Sequence, residues 1–265
     1  MQERAWVGRK SARGLAAVTQ TGVACESARL ARMSLLTARQ ITISSEARRR
    51  GRRPLLAGLD LHVEPRQVWL LCGAHGSGKS RLLATLAGVA QPSSGAVQVL
   101  GEPTGSRRAA QALGWAPESL RWPDTSRVAD ALAEIATLHS TAALTERVSR
   151  VLQQTGLAGV ARRRIGELSA GHVRLLSLAQ ALLDDPPLIL IDGQLDSLDA
   201  ELRTSLLAEL GARCAEGAAL IIATHAPERL SALATHEMRL LDGEAHTRVL
   251  RAESPVAPDS AEFPA

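Results

Sequence analysis

Residues Gly73 to Ser80 read GAHGSGKS, a full match to the pattern G-x-x-x-x-G-K-S/T, and that pattern suits a phosphate chain. Its glycines let the backbone turn tightly, so that the N–H groups of Gly73, Ala74, His75, Gly76, Ser77 and Gly78 face a β-phosphate. The positive end of the following helix adds to the attraction. Lys79 is expected to neutralise β- and γ-phosphate oxygens, and the Ser80 hydroxyl to ligate Mg²⁺. A second apolar run, PPLILID, ends in Asp192. A carboxylate at the tip of such a strand is the expected partner for that Mg²⁺.

These groups need elements that bring them together. The phosphate motif lies between the strand-like VWLLC and the helix-like RLLATLAGV, the context that separates it from an ordinary glycine-rich turn. Upstream, ITIS and LLAGLDLHV read as strands separated by the arginine-rich turn RRRGRRP. Downstream, VADALAEIATL places Val128, Leu132 and Ile135 on one helical face, and ELRTSLLAEL spaces Leu202, Leu206 and Leu210 four apart. LIIAT and MRLL read as further short strands. Strands alternating with helices indicate an α/β fold around a largely parallel sheet. The block at about 108–185 lacks clear strands and reads as a helical insertion. The Arg-, Ala- and Ser-rich stretch 1–36 shows no sustained periodicity and reads as an N-terminal extension, with Met33 a candidate start. The Pro-rich tail 251–265 reads as disordered.

Composition narrows the classes without naming one. Of the 265 residues 45% are hydrophobic but only 2% aromatic, with no Tyr, so Leu, Ala, Val and Ile must build the core. The formal charge of +4 comes from arginines concentrated in the first quarter, which read as solvated rather than as a nucleic-acid footprint. Cys25, Cys72 and Cys214 form no CxxC pair and no metal-ligand spacing, which speaks against a disulfide framework or zinc site and for a reducing compartment. No apolar run approaches the roughly 18–20 residues of a membrane-spanning helix, and Thr, Gln and Gly interrupt the first 25 residues where a signal peptide would need an apolar stretch.

With the phosphate motif and Asp192 in place, the chain from about 36 to 245 resembles an ATP-binding-cassette (ABC) ATPase. LSAGH, Leu168 to His172, resembles the family signature usually written LSGGQ. DSLD, ending in Asp199, resembles the D-loop; IIATH, ending in His225, the switch-histidine strand; and GWAPESL, carrying Glu118, the glutamine-loop region. Each is weak alone, and their joint order carries the resemblance. It implies a P-loop NTPase ABC ATPase fold with an antiparallel β subdomain and a helical insertion, a nucleotide-binding domain over 37–250, and ATP with Mg²⁺ as its ligands. It further implies two such domains facing each other, as a homodimer or with a second ABC ATPase, so that Ser169, Ala170 and Gly171 of one contact the γ-phosphate held by the other. His225 would then polarise that phosphate or hold the attacking water, making His225 and Asp192 the catalytic candidates. Asp199 joins the nucleotide contacts, and Glu118 the Mg²⁺ ligands through water.

The sequence departs from the family at telling places. Gly193 follows Asp192 where the family carries a glutamate that orients or deprotonates water, so ATP binding is expected to survive while hydrolysis is impaired. Gln194, one residue on, is a candidate substitute. His172 replaces the usual Gln of the signature. No aromatic residue lies between Leu35 and Val68 to stack on adenine, leaving Arg48 to Arg50 as candidates. The resemblance implies a cytoplasmic, membrane-peripheral subunit working with an integral membrane permease and making no direct contact with nucleic acid. The alternatives are a nucleotide-gated module on nucleic acid or the ribosome, and a scaffold that binds no nucleotide.

Overall fold

The computed structural model describes residues 34–44, 54–139 and 143–251. The expectations for the N-terminal extension up to residue 33, for Arg48 to Arg50 and for the tail from 252 lie outside the described residues. Strands β1 (Leu36–Ile43), β2 (Leu56–Val63) and β3 (Val68–Gly73) lead into helix α1 (Lys79–Leu86). Then come β4 (Ser94–Val99), β5 (Glu102–Pro103), α2 (Arg107–Gln111) and β6 (Leu113–Ala116). Helices α3 (Val128–His139), α4 (Leu144–Gln154) and α5 (Ala170–Leu182) precede β7 (Leu188–Asp192). The chain continues through α6 (Ala200–Glu216), β8 (Ala219–Ala223), β9 (His236–Leu241) and β10 (Glu244–Val249).

Two sheets result. One is antiparallel, in the order β2-β1-β4-β5. The other has the order β10-β9-β3-β8-β7-β6 and is parallel from β9 to β6, with β10 antiparallel at its edge. The burial patterns explain the division. In β2 buried residues are interrupted by exposed ones, while β7 and β8 are buried at every position, as strands covered on both faces require. On one face Leu70, Ile189, Ile191 and Ile222 pack with Leu178, Leu182, Leu206 and Leu210. On the other, Leu71, Leu190 and Ile221 pack with Leu82, Leu83 and Leu86 of α1 and with Ile41 and Val97 of the antiparallel sheet. Leu206 and Leu210, spaced for one helical face, are both buried, and so are Val128 and Leu132.

The expectation of a wholly helical block at 108–185 needs correction. It opens with the end of α2 and then β6, which pairs with β7 at the sheet edge, Ala116 opposite Ile191. The helices proper begin at Val128. Four residues including a glycine give too short an alternation to mark a strand from sequence.

An ion-pair cluster closes the far edge. Glu237 on β9, 6% exposed, accepts hydrogen bonds from Arg248 (2.7 Å) and Arg239 (3.0 Å). The Arg248 bond, outweighing burial and reinforced by Arg239, holds its carboxyl below the usual glutamate range. A carboxyl whose folded pKa lies below its unfolded value of about 4.3 stabilises fully above that value and loses the contribution as pH falls through the folded pKa. Glu237→Gln is therefore expected to flatten the fall in melting temperature between about pH 5 and pH 3; an unchanged slope would remove Glu237 from the acid response.

Candidate functional site

The parallel register brings the carboxyl ends of the central strands to one level: Leu71 lies opposite Ala223, and Ala223 opposite Asp192. This edge is where open α/β sheets take ligands. β3 leads into the phosphate loop, and α1 begins at Lys79. A Cβ at Gly73 would come within 2.6 Å of Ser77 Oγ and 2.9 Å of the Leu240 carbonyl, so only glycine lets the loop leave the strand here.

Lys79 is the electrostatic centre. It is 7% exposed, and its Nζ donates to the carbonyls of Gly73 (2.9 Å) and Ala74 (3.0 Å). Burial pushes its pKa down against the opposing pull of Asp192. A cation that has lost water and meets two peptide dipoles is under-compensated; an anion at the loop would relieve it. The neighbouring Ser80 hydroxyl donates to Asp192 Oδ1 at 3.2 Å. Asp192 is 6% exposed, and burial pushes its carboxyl pKa up, with the Ser80 bond opposing and Glu118 adding to the push. A buried carboxylate beside a hydroxyl is a hard oxygen pair suited to Mg²⁺. The buried Ser77 hydroxyl has no hydrogen-bond partner among the described residues, leaving a donor in the cradle. The residues present thus fit a phosphate and Mg²⁺, with Lys79 and the loop N–H groups facing the anion and Ser80 and Asp192 the cation.

His225 and His75 face one another across the loop, ring centroids 6.4 Å apart and planes 28° from parallel. The backbone of His225 is tied down by a residue the sequence reading did not single out. Asp196 Oδ2 accepts from His225 N (2.7 Å) and Oδ1 from Thr224 Oγ1 (2.5 Å), and its charge opposes the depression of the Lys79 pKa. Asp199 does something different: it caps α6, accepting from Leu202 N at 2.9 Å. Of the two aspartates in DSLD, Asp196 reaches this phosphate site within the chain.

Ser169 caps α5, accepting from His172 N at 3.3 Å, with His172 Nδ1 2.8 Å from the same hydroxyl. Ser169 and Ala170 are exposed, and the hydroxyl of Ser169 bonds within its own turn, so the helix start is presented to solvent.

Gly193 sits in the left-handed region at φ 69°. Gln194 does not take over its place: it is 2% exposed, and its Nε2 donates to the Pro117 carbonyl. Its amide nitrogen is engaged inside the protein, while its buried Oε1 has no partner among the described residues. Glu118, next to Pro117, is exposed, and its Cγ lies 3.9 Å from where a Cβ on residue 193 would stand.

Comparison with known proteins agrees with this fold. A family model described as ABC transporter matches residues 56–195. The Nod factor export ATP-binding protein I of Burkholderia pseudomallei is 32% identical over 183 residues, 66% of this chain and 59% of that protein. The zinc import ATP-binding protein of Cereibacter sphaeroides is 31% identical over 196 residues, 73% of each chain. A solved dimeric ATP-binding cassette in a post-hydrolysis state, bound to ADP and Pi, superimposes with a TM-score of 0.74 at 19% identity, over 82% of this chain and all of that one. The chain spans about three fifths of the length of the Nod factor export relative it matches.

Proposed function

This chain belongs to the ABC transporter family, and from that premise we propose that it is the ATP-binding subunit of a membrane transporter, intact in its phosphate site and slowed in its hydrolytic one. The observation that carries the reading is the desolvated Lys79 beside the Ser80–Asp192 pair. Two copies, or this chain and a second ABC ATPase, would enclose Mg-ATP between one phosphate loop and the other's exposed Ser169. The outward presentation of that helix start supports such a role, since a capped helix N-terminus favours an anion. His225, anchored by Asp196, would face the γ-phosphate.

Coupling to an integral membrane permease is proposed at the helical insertion. What supports it is an open groove of about 370 Å³ where the insertion meets the sheet, lined by Ala87, Val89, Leu113, Trp115 and Ile135 among others. Val89 on its rim is 70% exposed. No helix among the described residues is long and apolar enough to cross a membrane, which suits a subunit docked on a separate permease at the cytoplasmic face. Relatives named for export and for import leave the direction of transport to that permease.

The test is thermal. Mg-ATP at about one hundred times its Kd is expected to add about 2.7 kcal/mol, which for a domain of this size raises the melting temperature by about 5–10 °C. No rise would remove the nucleotide-binding reading and favour a scaffold. Ser169→Ala is expected to keep that rise and to lose Mg-ATP-driven association in sedimentation; association unchanged from the parent would take Ser169 out of the interface.

A further inference from the structure

We infer that Glu118 stands in for the carboxylate absent at position 193, holding the attacking water in ATP hydrolysis. The inference rests on the nucleotide-binding reading above and extends it from binding to the chemical step.

The approach of Glu118 to residue 193 carries it. The last β6–β7 pair is Ala116 opposite Ile191, and both chains then leave the sheet, Glu118 lying two residues past Ala116 and Gly193 two past Ile191. A Cβ built on Gly193 meets one neighbour within 4 Å, the Cγ of Glu118 at 3.9 Å. The space beside residue 193 is thus approached by a glutamate from the loop that follows β6. The loop that delivers it is fixed from below, because the buried Gln194 holds the carbonyl of Pro117. Glu118 itself is exposed, so its carboxylate has access to water. Its charge is felt at both chemical landmarks, adding to the upward push on Asp192 and opposing the depression at Lys79. The remaining charged or titratable group facing Asp192 is His225, which acts in the opposite sense.

In the step itself the water oxygen forms a bond to the γ-phosphorus as the bond from that phosphorus to the β–γ bridging oxygen breaks. The electron pair leaves with ADP. The water's proton passes to the Glu118 carboxylate and from there to the phosphate or to solvent, restoring the carboxylate. A carboxylate that reaches in from the loop after β6 is a poorer base than one placed at residue 193, which predicts turnover that is slow but present.

The test uses the full chain, with steady-state hydrolysis at saturating Mg-ATP and the Mg-ATP melting shift recorded side by side, and Lys79→Ala as the blank. Glu118→Gln keeps the size of the side chain and one oxygen for a Mg²⁺-bound water, so a role limited to the metal leaves most turnover intact. The expected result is a loss of at least tenfold with the melting shift retained, and recovery to the parent level or above when Gly193→Glu is added to Glu118→Gln. A loss smaller than tenfold, no recovery in the double variant, or parent turnover no higher than the blank overturns the inference while the melting shift keeps the binding reading. Absence of the melting shift in the parent chain overturns both.

Discussion

Gly193→Glu is expected to raise ATP turnover by about 10- to 10²-fold over the parent chain. A positioned general base contributes about 10²–10⁴-fold, and Glu118 accounts for part of that in the parent, so the gain falls short of the full amount. The pocket has room, since the nearest atom to a new Cβ is Glu118 Cγ at 3.9 Å. The backbone resists, because φ at 69° lies where a side-chain-bearing residue costs about 1–2 kcal/mol. The same variant should therefore melt about 2–8 °C lower than the parent. Faster hydrolysis in a less stable protein is the signature to look for, in paired kinetics and melting curves. Unchanged turnover would mean that the slow step lies elsewhere, in closure or in product release.

Lys79→Ala is expected to weaken Mg-ATP by about 10²-fold, in the range measured when one partner of a buried charge pair is truncated. Without nucleotide the variant should melt within a few degrees of the parent. It loses two bonds to the Gly73 and Ala74 carbonyls, and against that loss stands relief from burying a cation that the site pushes toward neutrality. Equilibrium titration of Mg-ATP into both proteins checks it. Equal affinity would show that the loop N–H groups alone hold the phosphates.

Much of this site was legible because the phosphate loop is local: GAHGSGKS carries its own glycines, cation and hydroxyl, and the strand before it is an unbroken apolar run. The same holds for β7 and β8, buried at every position. Strands lacking that signal went unmarked. β10 lies at the sheet edge with all but one residue exposed, and β4 is half exposed, so neither shows an alternation to read. β6 has four residues, and its place beside β7 depends on tertiary pairing.

The catalytic end of the site shows the same limit. DSLD offers two aspartates, and nothing in the run of letters says which one turns inward. A signal was available, since Asp199 stands just before AELRTSLLAEL, whose leucines recur at helical spacing, and so occupies a helix-cap position, leaving Asp196 for other work. Gln194 stands one residue from the place of the family's glutamate, and its side chain is buried against Pro117. Glu118 reads from sequence as a Mg²⁺ ligand through water, and only the fold sets its Cγ 3.9 Å from where a Cβ on residue 193 would stand. Neighbours that only the fold brings together are invisible in a single sequence.

The central claim is a nucleotide site that binds fully and cleaves slowly, and a single-turnover experiment tests it most directly. The full chain is held in excess over Mg-ATP labelled at the γ-phosphate, and bound ATP and released phosphate are followed together. The account predicts complete binding of the nucleotide and phosphate release below about 1 s⁻¹, at least tenfold under the roughly 10 s⁻¹ typical of enzymes. Release at about 10 s⁻¹ or faster, or no bound ATP at all, would contradict it.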